Sequence, residues 1–335
     1  MSAAPADMPA PSSLVVIGAS AGGLAPLRTI ARALPPGFPG AVLVVVHLAS
    51  TASSVLPQIL ARVSDLAVEA ADDGAQLRPG RMLVAPPDRH LTVEDGVVRV
   101  TRGPRENGHR PAVDPLFRSA AEVYGAACRA VILSGSRDDG AVGMAQVKAR
   151  GGVTIVQDPS QAEHDGMPAH ALAATDVDLV LGADDIGPTL VRLATQRGAG
   201  ASAASPGAAG SPRRAELLSI LCPECGGSLF EDHEAGVSHV RCHVGHRFSV
   251  RSLLAAHAEA VERALWTSVR SLEDRATLLR RMADRARQTG STISAARFDT
   301  QAIDAIEQAS SVRGAIAALD DAGIEPPADP NESVA

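Results

Sequence analysis

Aromatic side chains are scarce in this chain: one Trp, one Tyr and five Phe make up 2% of 335 residues. Ala, Val and Leu must therefore fill any core, and an apolar content of 45% is enough to build one. No uninterrupted apolar run approaches the ~18 residues of a membrane-spanning helix, so membrane insertion is not expected. Basic charge is also short. Lys and Arg number 31 against 38 Asp and Glu, a net charge of −7 that offers no basic face to a nucleic acid. Four cysteines are too few for a disulfide framework, and Cys222, Cys225 and Cys242 crowd into one block, as in a reduced metal site. The N-terminal stretch MSAAPADMPAPSS lacks the charged start and apolar run of a secretion signal. The expected location is the cytoplasm.

The length suits about two domains. Between residues 14 and 195, continuous β-branched runs alternate with stretches of helical spacing. Strands that are apolar throughout are buried on both faces, and alternation with helices means right-handed crossovers. This predicts an α/β fold with a parallel, doubly wound sheet. One stretch departs from the pattern: HLTVEDGVVRV (90–100) reads as a β-hairpin around Asp95-Gly96, inserted into the α/β order. Residues 196–216, rich in Gly, Ala, Ser and Pro, read as a flexible linker. A Cys/His-rich module is expected over 217–248 and a long helical region over 249–322, with disordered tails at 1–13 and 323–335. In the helical region Leu265, Val269, Leu272, Ala276, Leu279, Ala283 and Ala286 recur at three- and four-residue steps. Such a seam fits either a helical hairpin or self-association between two copies.

The turn IGASAGG (17–23) joins the first strand to a helix. Its glycines stand at the wrong spacing for a dinucleotide-binding turn, and the second strand ends in His47 where an acidic ribose ligand would be needed. An imidazole there is a better general base. In a parallel sheet the carboxyl ends of neighbouring strands meet at one crevice, which brings Ser20 and His47 within plausible reach. SGSRDDGAVGM (134–144) places Asp138 and Asp139 just past another strand. A hydroxyl, a base and an acid make a hydrolase relay, because serine is a weak nucleophile until a base takes its proton.

Six motifs then carry a resemblance: IGASAGG (17–23), VVVHLAS (44–50), LVAPPDRHLTV (83–93), RPAVDPLFRSAA (110–121), LSGSRDDGAVGM (133–144) and DGMPAHAL (165–172). Together they resemble the catalytic domain of CheB-type protein-glutamate methylesterases. The resemblance implies hydrolysis of glutamyl methyl esters on methyl-accepting chemoreceptors, with methanol released and no cofactor required. By motif position it makes Ser20 the nucleophile, His47 the base and Asp139, rather than Asp138, the orienting acid. Ser136 and Arg137 depart from the Met-Gly common in the family. Only about 13 residues precede the first strand, so control by a covalently attached receiver domain is not expected. Two other readings stand beside this one. The chain could be an esterase or glutamine deamidase acting on another substrate, or a non-catalytic scaffold that binds receptors.

Arg102, Arg105, His109 and Arg110 form a basic run that reads either as a solvated loop or as a docking surface for an acidic receptor helix. Cys128, beside an apolar strand, reads as a buried small hydrophobe. In CPECGGSLFEDHEAGVSHVRCHVGH, Cys222-x2-Cys225 and Cys242-x3-His246 are separated by sixteen residues. Two such pairs suit structural zinc in a knuckle-like module, with His243, His239 and His233 as other candidates for the fourth ligand.

Overall fold

A computed structural model describes residues 11–47, 55–195 and 216–321. The expected tails and linker lie almost wholly outside the described residues. The chain divides into two compact units, Met1–Leu253 and Leu254–Ala335.

The first unit runs β1 (Leu14–Ala19), α1 (Leu24–Ala33), β2 (Ala41–Val46), α2 (Leu56–Ala61), β3 (Ala67–Ala70), β4 (Arg81–Val84), β5 (His90–Glu94), β6 (Val97–Thr101), α3 (Val113–Tyr124), β7 (Cys128–Ile132), α4 (Ala141–Ala149), β8 (Val153–Gln157), α5 (Gly166–Ala174), β9 (Leu179–Leu181) and α6 (Ala183–Thr195). Seven strands form one parallel sheet in the order β3-β4-β2-β1-β7-β8-β9. The central strands are buried on both faces. Leu14 and Val16 of β1 point into a core shared with Phe117 of α3, Met144 of α4 and Met167 of α5. Val15 and Ile17 point into the opposite core, with Leu27 and Ile30 of α1, Leu60 of α2 and Leu190 of α6. Each large aliphatic side chain so buried contributes about 1.5–3 kcal/mol.

Local chemistry sets the element ends. Helix α1 buries Leu27, Ile30, Ala31 and Leu34 at three- and four-residue steps. It ends at Leu34, whose extended backbone (ψ 120°) is what a following proline imposes. The strand β3 has no counterpart in the sequence reading. It is a four-residue edge strand that is mostly exposed, so it leaves no apolar signature. The hairpin of β5 and β6 turns at Asp95 and Gly96, both with positive φ (49° and 77°), as a two-residue hairpin turn requires.

Because α1 and α3 lie on opposite faces, the chain reverses winding at β1, with β2 on one side and β7 on the other. That opens a crevice at the carboxyl ends of these three strands, the usual ligand position in such sheets.

A second, antiparallel sheet in the first unit has the order β10 (Glu216–Leu221), β11 (Ser228–Glu234), β12 (Val237–Cys242) and β13 (Arg247–Phe248). Its buried residues are few, chiefly Cys222, Leu229, Val240, Cys242 and Phe248.

The second unit holds most of α7 (Val250–Gln288) and all of α8 (Thr292–Asp321), with Gly290 at φ 78° between them. Val269, Ala276, Leu279 and Ala283 are buried along α7, and Ala295, Ala302, Ala305 and Ala309 along α8. Ion pairs Arg287–Asp299 (2.6 Å) and Arg313–Glu273 tie the two helices into an antiparallel hairpin. Rows of alanine let helix backbones approach closely, so the periodic seam has a partner within the chain. No helix among the described residues is long and apolar enough to cross a membrane.

Candidate active site

Ser20 directly follows β1 in a tight turn that opens α1. Its N–H donates to the carbonyl of Ser134 (2.9 Å), and its own carbonyl accepts from Gly23 N–H (3.1 Å). The Ser134 hydroxyl braces the same turn by donating to the Ala21 carbonyl (2.8 Å). Gly22 has a φ of 71°, and a Cβ there would stand 2.6 Å from both Glu163 Cβ and Ser134 Oγ. Only glycine meets both demands. At Gly135 a Cβ would stand 2.1 Å from the Met167 sulfur and 2.9 Å from Ser20 Cβ. The small residues of both motifs thus let two strand ends close around one hydroxyl.

His47 follows β2, its N–H bonded to the Ala19 carbonyl (3.2 Å). Its Nδ1 lies 3.2 Å from Ser20 Oγ and its Nε2 lies 2.7 Å from Asp139 Oδ2. A carboxylate accepts only, so Nε2 carries the proton and Nδ1 is the lone pair facing the serine hydroxyl.

Asp139 is fully buried. Besides His47 it accepts from Val113 N–H (2.6 Å), Asp114 N–H (3.2 Å) and the Asn107 side-chain amide (3.0 Å). Val113 and Asp114 are the first residues of α3, so the carboxylate also sits at the positive end of a helix. Burial pushes its pKa up. The bond and charge of His47, the charge of His109 and the Val113 N–H outweigh it and hold the carboxyl well below the usual range. Asp138 takes no part in this relay; it accepts from the Ser252 hydroxyl (2.7 Å).

Three neighbours were not legible as site residues in the sequence. His109 is half-buried and stacks face to face on His47, which makes its ring a wall of the site. Asp114 is buried and accepts from Gly143 N–H (2.7 Å) and the Asn107 amide (2.8 Å). Burial and the adjacent charge of Asp139 push its carboxyl well above the ordinary value. Asn107 bridges the two aspartates. Its only sequence signal, Asn-Gly, marks a turn and says nothing about where the amide points. Of the rest of the basic run, Arg110 and Arg102 both pair with Asp88 (2.5 and 2.9 Å). His90 is held inside by the Pro104 carbonyl (2.8 Å), and burial lowers its pKa.

The Cys/His block forms a second cluster. One ligand atom each from Cys222, Cys225, Cys242 and His246 lies within 4.8 Å of every other. The Cys225–Cys242 sulfur separation is 3.7 Å, and His246 Nδ1 lies 3.7 and 3.4 Å from the sulfurs of Cys222 and Cys242. Bonds of about 2.3 Å to sulfur and 2.0–2.1 Å to nitrogen in a tetrahedron demand edges of roughly 3.4–3.8 Å. Four such donors can hold a metal ion. The other candidate histidines lie elsewhere: His243 packs edge-on against Phe230 (4.8 Å), and neither His239 nor His233 joins the cluster.

Comparison with known proteins places this arrangement. The model of the CheB methylesterase family matches residues 15–190, about half of the chain. The chain belongs to the CheB methylesterase family. A similar protein in Anaeromyxobacter dehalogenans, protein-glutamate methylesterase/protein-glutamine glutaminase 2, is 43% identical over 54% of this chain and 53% of its own length. A Leptospira interrogans protein, named as a candidate for the same pair of activities, is 37% identical over 53% of this chain and 93% of its own. The chain therefore spans about half the length of the first relative and nearly all of the second. The crystal structure of the Thermotoga maritima CheB methylesterase catalytic domain is also similar. It shares 36% identity and a TM-score of 0.52, covering 54% of this chain and 98% of that one. The matched region carries Ser20, His47 and Asp139. The Cys/His sheet and the helical hairpin lie outside it.

Proposed function

We propose that this chain is a serine hydrolase that demethylates glutamyl methyl esters on the cytoplasmic helices of chemoreceptors. The observation that carries the reading is the continuous path from Ser20 Oγ through His47 to buried Asp139, in a CheB methylesterase domain. The Ser20 proton moves to His47 Nδ1 as Oγ attacks the ester carbonyl. His47 then gives that proton to the departing methoxide, which leaves as methanol. A water, deprotonated by His47, opens the acyl-serine to free glutamate and restores Ser20. Asp139 keeps the imidazole in the required tautomer and stabilises the imidazolium. The N–H groups of the turn between Ser20 and α1 stand at a helix N-terminus, the natural donors to the oxyanion. No metal enters these steps. Such a substrate places the protein in the cytoplasm.

A second reading shares this machinery. The names of the relatives pair the esterase with glutamine deamidation, and the same relay would release ammonia from a glutamine side chain. The experiment is release of labelled methanol from methylated receptor by the purified full chain, beside Ser20→Ala. Equal release by both proteins would remove Ser20 from the mechanism. Release by neither would favour a receptor-binding scaffold.

For the Cys3His cluster we assign structural zinc, because four protein donors leave no open position for catalysis. We read residues 14–195 as the catalytic domain and 217–248 as the zinc module. Metal analysis of Cys222→Ser tests this, and unchanged zinc content would rule the ligand set out.

A further inference from the structure

The loop between β6 and α3 makes a tight turn at Glu106–His109. His109 N–H donates to the Glu106 carbonyl (2.9 Å), and Asn107 and Gly108 take positive φ (52° and 77°). This turn touches two members of the relay, the imidazole and the carboxylate. His109 stacks on the His47 ring, while the Asn107 amide donates one hydrogen to Asp139 and one to Asp114.

The outer side of the same turn is held by the Cys/His module. The Asn107 N–H donates to the Arg247 carbonyl (2.8 Å), and the Arg247 N–H donates to the Arg105 carbonyl (3.3 Å). The Asn107 side-chain oxygen accepts from the Ser249 N–H (2.9 Å). Every polar group of the Asn107 side chain is thereby used, two donors toward the aspartates and one acceptor toward the module. Strand β13 begins one residue after His246. The knuckle before it, closed by Gly245 N–H to the Cys242 carbonyl (3.0 Å), lies against Pro104.

This sheet has too small a core to hold its shape alone. In modules of this size, the free energy of metal binding is the free energy of folding. Without an ion, three sulfur ligands and an imidazole have nothing to converge on, and β13 loses its anchor.

We infer that the Cys3His module is a built-in positive effector of the hydrolase. Zinc, bound through Cys222, Cys225, Cys242 and His246, fixes β13, and β13 fixes Asn107, the positioning residue that aims Asp139 at His47. The inference rests on the proposed roles of Ser20, His47 and Asp139. It makes ester hydrolysis depend on a metal that never touches the substrate, and it gives a task to residues outside the family match.

The test compares the zinc-loaded full chain, the same chain after chelation, and Asn107→Gly in both states; glycine keeps the left-handed turn and deletes only the amide. Chelation of the wild type lowers kcat about tenfold to a hundredfold, the scale of a misplaced catalytic group. KM stays within about twofold, and added zinc restores the rate. Asn107→Gly starts from the lowered kcat and does not respond to chelation, because the step that metal controls is already lost. Hydrogen exchange at the Asn107 amide, slow with zinc, becomes fast without it. Full kcat in zinc-free wild type would overturn the inference, as would an equal further loss on chelating Asn107→Gly. Were the zinc-loaded wild type to release no methanol, the proposed activity would fail. The exchange measurement would still decide the coupling, and unchanged protection of the Asn107 amide would sink it.

Discussion

The imidazoles of His47 and His109 lie parallel, with ring centroids 3.7 Å apart and planes within 7°. His109 thereby covers one face of the ring that must hold Ser20 at one nitrogen and Asp139 at the other. A stack of this kind is worth about 0.5–1.5 kcal/mol beyond its buried area. His109→Ala is expected to lower kcat by up to roughly tenfold, since each 1.36 kcal/mol is a factor of ten in rate. His109→Phe, which keeps a flat ring in place, should recover most of the loss. A steady-state comparison of the two variants checks this, and equal defects would show that the stack itself contributes nothing.

Asp139 offers both a catalytic and a thermodynamic test. Asp139→Asn leaves the shape intact but presents a donor to Nε2–H, and should cost roughly 10⁴ in kcat. The folded pKa of Asp139 is held below its ordinary value. Its stabilising contribution is therefore complete above the unfolded value of about 3.9 and fades as pH falls through the folded one. Denaturant titrations should show wild type more stable than Asp139→Asn at pH 7, with the gap closing below pH ~4. A gap that widens toward acid would contradict the direction of the shift.

Gly22 sits where a side chain meets both backbone strain and a wall. Gly22→Ala should destabilise the protein by about 1–3 kcal/mol and reduce turnover further, because relief of the clash with Ser134 and Glu163 displaces the Ser20 turn. Thermal unfolding and kcat measured together check it. Undiminished stability would contradict the strain and the clash, and full turnover would contradict the displacement of the Ser20 turn.

The cysteines should sort by environment. Cys128 is fully buried and burial pushes its thiol up to about 12, so it should stay silent toward thiol reagents at pH 8 in the folded chain. The zinc-loaded protein should react slowly or not at all. The chelated, folded protein should expose the three cluster thiols, and the denatured protein all four. Rapid labelling of Cys128 in the folded state would contradict its burial.

The alternating apolar runs and the Asp95-Gly96 turn were readable because they are local: burial on two faces needs continuous Val, Ile and Leu, and a two-residue hairpin needs residues tolerant of positive φ. The strand β3 was not readable, because an exposed four-residue edge needs no apolar pattern. Ser20, His47 and Asp139 could be singled out because each follows a strand at one sheet edge. The spacing of Cys222, Cys225, Cys242 and His246 carried the Cys3His cluster, because each of its two pairs lies close along the chain.

Along the chain, then, were written the parallel sheet, the turn chemistry around Ser20 and the ligand spacing of the module. These follow from backbone rules and hydrophobic period, which act over a few residues. The choice of Asp139 over Asp138 came from motif position, whereas folding in three dimensions alone laid His109 on His47 and joined Asn107 to Ser249 across 142 residues. No local rule anticipates such contacts. A buried carboxylate takes whichever donors the packed elements deliver, and Asp139 receives His47 from the end of β2, two N–H groups from the start of α3 and the Asn107 amide from the Glu106–His109 turn, all from far along the chain.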